Sequence, residues 1–198
     1  MNARTARVLL MLGAFVGGLV LFSAVIFIVT GRAPTQVALP SAVGGPFQLV
    51  DQNAKPITDR DLKGRPFLVF FGFTHCPDIC PTTLFEVSEI FRALGPQEKD
   101  VRALFITVDP ERDTPAVLKD YLASFDPRVV GVTGDAAAIQ AVEKSYRVYA
   151  KKVPLDGGNY TMDHTALVYL MDKDGRFVTP FNVKRRPEEA AADLKRYL

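Results

Sequence analysis

The apolar pattern divides the chain into three stretches. From Val8 to Val29 no charged residue interrupts 22 positions. At about 1.5 Å of rise per residue such a helix is about 33 Å long, enough to cross a bilayer core of about 30 Å. The run therefore predicts one transmembrane helix over residues 8–29. Arg4 and Arg7 precede it, so the positive-inside rule puts residues 1–7 in the cytoplasm and the rest of the chain outside. A cleaved signal peptide is the alternative, but its apolar centre is usually about 7–15 residues and ends at a small-residue cleavage site, and no Ala-x-Ala follows here. Residues 30–45 carry Gly, Pro, Ala and Ser with little periodicity and read as a flexible tether. Residues 46–198 have the length of one globular domain.

Within that domain the pattern alternates between buried strands and amphipathic helices. Phe47–Val50 and Lys55–Ile57 read as a leading hairpin. Phe67–Phe71 is an apolar run bounded by glycines and a proline, as expected of a strand buried on both faces. Leu84, Val87, Phe91 and Leu94 then mark one face of a helix that Gly95-Pro96 ends. Ala103–Val108 is a second buried strand. Thr114 and Pro115 open a helix carrying Leu118, Tyr121, Leu122 and Phe125. A shorter strand at Val129–Thr133 and a helix capped by Asp135 follow. Val148–Val153 reads as an edge strand and Leu155–Asn159 as a loop. Thr165–Met171 and Arg176–Phe181 make a hairpin turned at Asp172–Gly175, and Pro187 opens the last helix. The order is that of an α/β domain with a thioredoxin-like fold behind an N-terminal β-hairpin.

Charge adds little. The formal net charge of +2 gives no argument for nucleic acid, and Lys184-Arg185-Arg186 reads as a solvated loop before a helix. Cysteine usage adds a great deal. Cys76 and Cys80 are the only two in 198 residues. Both lie in Phe73-Thr74-His75-Cys76-Pro77-Asp78-Ile79-Cys80-Pro81, directly after the first buried strand. That is where a thioredoxin-like fold keeps its reactive pair. On the non-cytoplasmic side disulfides are permitted. A bridge over three residues, however, restrains little of the unfolded chain, so the pair reads as chemical rather than structural.

With Pro81 at the first helical position, Cys80 is expected as the N-cap. The helix end would then favour its thiolate, predicting a low-pKa dithiol without saying which use it serves. His164, just before the expected strand Thr165–Met171, decides between the uses. The start of that strand faces the cysteine loop in this fold, and disulfide exchangers resembling thioredoxin carry a cis-proline there; this chain has Met162-Asp163-His164-Thr165. Two soft sulfurs and one imidazole suit copper and make an incomplete structural zinc site. Cys76, Cys80 and His164 are therefore the expected metal ligands, and Cys76–Cys80 a redox-active disulfide pair whose oxidation would block metal binding. His75 is assigned a supporting or packing role, Asp163 is a candidate to fix an imidazole tautomer, and Met162 reads as a core or rim residue.

Phe71–Pro81 resembles the metal-binding motif of the Sco/SenC family of membrane-tethered copper chaperones. Thr107-Val108-Asp109-Pro110-Glu111-Arg112-Asp113-Thr114-Pro115 resembles that family's second signature, and Asp163-His164 its ligand histidine. The resemblance implies a domain that binds one copper, Cu(I) or Cu(II), through the residues matching Cys76, Cys80 and His164. It also implies a part in building the dinuclear copper centre of cytochrome c oxidase subunit II. That subunit or another copper-site client is then the expected partner, with room for an upstream copper donor. The expected location is a bacterial inner membrane with the domain in the periplasm; the mitochondrial inner membrane, facing the intermembrane space, is the alternative. A binding and delivery protein rather than an enzyme is expected. The competing readings are a membrane-anchored thiol–disulfide oxidoreductase and, more remotely, a thiol peroxidase. The Asp109–Pro115 stretch receives no chemical role from sequence.

Overall fold

The computed structural model describes residues 2–30 and 43–198. The chain divides into two units, residues 1–39 and 40–198. In the first, α1 runs over Ala3–Thr30, 28 residues with no acidic residue in its first turn. Its side chains are described at Arg7 and over residues 10–25, all of them exposed. Among the described residues no helix is long and apolar enough to cross a membrane. The expected tether, residues 30–45, lies outside the described residues except at its two ends.

In the second unit, β1 (Gln48–Asp51) and β2 (Pro56–Thr58) form the leading antiparallel hairpin. Strands β3 (Phe67–Gly72), β4 (Arg102–Thr107) and β5 (Val129–Thr133) run parallel, and β8 (Val168–Met171) and β9 (Phe177–Pro180) add an antiparallel hairpin beside β3. The seven-stranded order is β2-β1-β5-β4-β3-β8-β9. All six residues of β3 are buried, because both faces of this sheet are covered. Phe105, paired with Phe70, meets Tyr121 of α3 (Pro115–Leu122) at 5.8 Å between ring centroids. Phe71 points to the opposite face and meets Tyr146, the residue that ends α4 (Ala136–Ser145), at 5.4 Å. Helix α2 (Ile79–Leu94) packs along α5 (Pro187–Leu194). This is the expected thioredoxin-like α/β fold.

Several local expectations are met for the expected reasons. Thr114 accepts a hydrogen bond from the Val117 N–H, and Asp135 from the Ala138 N–H, so both cap their helices. Asp172 Oδ1 accepts from the N–H groups of Asp174 and Arg176, and Gly175 supplies the positive φ that closes the β8–β9 turn. One expectation fails. Thr165–Met171 is not a single strand. Thr165 exchanges hydrogen bonds with Tyr149, donating its N–H to the Tyr149 carbonyl and accepting the Tyr149 N–H on Oγ1. Those bonds commit it to a second, two-stranded sheet of β6 (Ala150–Pro154) and β7 (Tyr160–His164), and β8 starts only at Val168. Strand β7 offers only Tyr160 and Met162 as apolar alternates in five residues, too short a pattern to mark a strand.

Glu143 of α4 lines a cavity of about 200 Å³ shared with Ala150 of β6 and Met162 of β7. Burial pushes its carboxyl from an ordinary 4.5 up to about 7. Between those values the folded chain keeps the proton that the unfolded chain has lost, so stability falls as pH rises through this window. We expect the melting temperature of the wild type to drop between pH 5 and 7.5, and Glu143→Gln to remove most of that drop. Parallel melting curves of the two proteins over this range check it.

Candidate metal centre

Strand β3 carries the chain into the cysteine loop, and the junction is tight. Gly72 accepts the Val108 N–H on its carbonyl. A β-carbon placed on Gly72 would stand 2.7 Å from Cys80 Sγ and 2.5 Å from Phe105. Glycine is therefore what lets the sulfur lie against the sheet. The Cys76 N–H donates to the Phe73 carbonyl at 3.2 Å, closing a turn. Helix α2 then starts at Ile79, with Asp78 in the N-cap place. Cys80 is thus a residue of the first helical turn, not the N-cap expected from the position of Pro81. Its N–H donates to Cys76 Sγ at 3.4 Å, so the helix end serves Cys76 rather than Cys80.

Cys76, Cys80 and His164 converge. One candidate ligand atom from each lies within 4.8 Å of the others, and both cysteines are unbridged. Cys80 is fully buried, whereas Cys76 and His164 are half-buried. Burial pushes the Cys80 thiol strongly upward, against small opposing help from a backbone hydrogen bond at Phe73. This corrects the expected low-pKa dithiol at that residue: a helix end favours a thiolate by up to about 2 kcal/mol, and removing the sulfur from water outweighs it.

His164 closes β7 and reaches the cysteine loop from that strand's end, not from the start of a Thr165–Met171 strand. Its Nδ1 donates to the Thr165 carbonyl at 3.1 Å, which leaves the Nε2 lone pair facing Cys80 Sγ at 3.9 Å. The ring lies edge-on to Phe73, with centroids 5.7 Å apart, and 6.4 Å from Phe70. Burial lowers the imidazole pKa, so the neutral, ligating form is favoured. The backbone, not Asp163, fixes the tautomer: Asp163 alternates to the exposed side of β7. His75 is exposed and contacts Thr74 Oγ1 through Nδ1 at 3.1 Å, away from the cluster. Met162 packs at the rim of the core. Two sulfurs and a neutral imidazole fit a soft or borderline ion and fall one donor short of a closed zinc site.

Sequence reading missed the polar support around this cluster. Asp113, fully buried, accepts from the Thr74 N–H at 3.0 Å, Thr74 Oγ1 at 2.6 Å and Thr107 Oγ1 at 2.7 Å. Asp109, 2 % exposed, pairs with Arg112 Nε and accepts from the Tyr160 hydroxyl at 2.9 Å. Arg112 also donates to the Tyr160 carbonyl at 3.0 Å, and its guanidinium lies 3.8 Å from the Tyr160 ring centroid and 5.9 Å from that of Phe73. The signal available was three acids and an arginine within five residues after a buried strand. Their long-range partners, Thr74 and Tyr160, are not readable from spacing.

A thioredoxin-like domain with two thiols and an imidazole gathered at its first strand-to-helix junction defines a class of metal- and redox-handling proteins. The chain belongs to the SCO1/SenC family, whose sequence profile matches residues 35–198. It is 41 % identical over 155 residues to a SCO2-like protein of Rickettsia felis, covering 77 % of this chain and 76 % of that one. It is 40 % identical to the mitochondrial SCO1 homolog of Mus musculus over 79 % of this chain and 56 % of the longer mouse protein. The solved copper-bound structure of Bradyrhizobium japonicum ScoI matches with a TM-score of 0.77 and 68 % identity, over 79 % of this chain and 99 % of that one. Copper-bound yeast Sco1 matches with a TM-score of 0.71 and 36 % identity, over 80 % of this chain and 88 % of that one.

Gly72→Ala tests the packing of Cys80. We expect a loss of about 1–3 kcal/mol in stability, the usual cost of overpacking, and faster alkylation of Cys80 as its sulfur is pushed outward. Thermal melts and mass-spectrometric alkylation rates measure both.

Proposed function

We propose that this chain is a copper metallochaperone that binds one copper ion as cargo through Cys76, Cys80 and His164. We further propose that it takes part in assembling a copper centre of cytochrome c oxidase, with subunit II as the client. The observation that carries this reading is the convergence of two unbridged sulfurs and a neutral imidazole nitrogen within 4.8 Å, on a domain whose relatives include copper-bound structures. Binding displaces the two thiol protons, and the cation then supplies the charge partner that buried sulfur lacks. His164, already neutral with Nε2 turned inward, needs no proton change to ligate. The two thiolates suit Cu(I), and the imidazole adds competence for Cu(II).

In this reading the uncharged run of residues 8–29 is a membrane anchor, residues 30–45 are a tether, and residues 46–198 work on the far side of the membrane from residues 1–7. The periplasm is the setting taken here; the mitochondrial relatives keep the intermembrane space as the alternative. The anchor contributes location, because tethering raises the local concentration of the domain near a membrane-bound client. A version of the chain beginning at Pro46 is expected to fold, stay soluble and bind one copper. Loss of copper binding in that version would show that the two parts are not independent.

One observation favours a second reading, thiol–disulfide exchange: Cys76 and Cys80 are close, unbridged, and the chain is 27 % identical to BsSco, a Sco protein with a disulfide switch. His164→Ala separates the two. It leaves both cysteines in place, so disulfide formation and reduction should persist. Copper binding should weaken by about 10-fold or more, with Cu(II) affected more than Cu(I), since a linear pair of thiolates still holds Cu(I). Chelator competition in both oxidation states reads this, and oxidase assembly at limiting copper reads its consequence. Normal assembly by the variant would favour thiol exchange.

A further inference from the structure

The histidine arm of the site is built differently from the cysteine arm. The cysteine loop follows β3, the most buried strand of the main sheet. His164 ends a hairpin whose two strands, among the described residues, pair only with each other. A two-stranded hairpin is marginal by itself, so its orientation must come from contacts outside its own ladder. Asp109 and Arg112 supply some of them at Tyr160, the first residue of β7 and four residues before His164, beside the Lys152–Glu111 ion pair and the packing of Ala150 and Met162 on the core. The same turn carries Asp113, whose three accepted hydrogen bonds fix Thr74 of the cysteine loop and Thr107 of β4. Phe73 stands between the arms, touched by the Arg112 guanidinium on one side and by the His164 ring on another.

Two carboxylates buried four positions apart are costly unless fully partnered, and here the partners lead to the two arms separately. Resting on the copper reading of Cys76, Cys80 and His164, we propose that the Asp109–Asp113 turn is a positioning device for the ligand set. Asp109 and Arg112 set the imidazole through Tyr160 and Phe73, and Asp113 sets the cysteine loop through Thr74. None of the three touches the ion. The turn holds two separately built arms in register, so that the imidazole meets the two sulfurs without being tied to them by adjacent backbone.

A turn that merely stabilises the fold would weaken all copper binding alike. A positioning device has a signature: Arg112 acts only through His164. The test uses the full chain in detergent, with Arg112→Gln and with Tyr160→Phe as the milder variant should the first not fold. Each is made alone and in the His164→Ala background. Cu(I) and Cu(II) affinities are measured by chelator competition. Hydrogen exchange of the metal-free protein is followed at residues 160–164 and at β3 and β4.

We expect Cu(II) affinity to fall about 10-fold, within the range seen for changes around metal ligands, and Cu(I) affinity by less than threefold. In the His164→Ala background the second change should alter neither. In metal-free protein, exchange at residues 160–164 should quicken while β3 and β4 stay protected. Equal losses for Cu(I) and Cu(II), or losses that persist without His164, would overturn the inference and leave the copper reading standing. If the wild type binds no copper, the copper reading fails, and with it the ligand-setting role; hydrogen exchange would then still show whether Arg112 holds the hairpin.

Discussion

The burial of β3 along its whole length is the constraint on which the ligand cluster depends. Phe67–Gly72 has no solvent-facing side, so its direction is set by packing above, below and on both edges. A strand fixed in this way delivers the residues after it to one place. Gly72 then removes the last side chain that would keep α2 at a distance, and Cys80 comes to rest on the sheet itself. The first ligand is part of the core, and the other two are brought to it.

The parts legible in the sequence were those whose partners are near in sequence or whose period is strong. The all-apolar β3, the caps at Thr114 and Asp135, and the Asp172–Gly175 turn follow from local rules, and their positions within the domain follow from order. The convergence of Cys76, Cys80 and His164 was legible because two cysteines and a distant histidine form a rare set. Strand β7 was not legible, since Tyr160 and Met162 alone give too short an alternation to mark it. The Cys80 environment was misjudged for a related reason. Sequence places a proline and a helix end beside the thiol, but depth in the core depends on what Gly72 and Phe105 allow, and depth dominates the thiol's acidity.

The site joins an apolar enclosure to a polar frame. Phe70 and Phe73 enclose the imidazole, while the charged and hydroxyl groups stand one layer further out, around Asp109 and Asp113. The imidazole is thus lined by apolar rings, while polar groups remain close enough to fix the loops that carry the donors.

The unequal burial of the two cysteines gives the cluster a front and a back. Cys80 is sealed against the sheet, and Cys76 stands at the edge among the exposed residues His75, Pro77 and Asp78. Anything arriving from solvent, whether a foreign thiol, an oxidant or the donor atom of another protein, meets the Cys76 sulfur first. Of the two sulfurs, Cys80 is thus the one the fold shields from reagents in solvent.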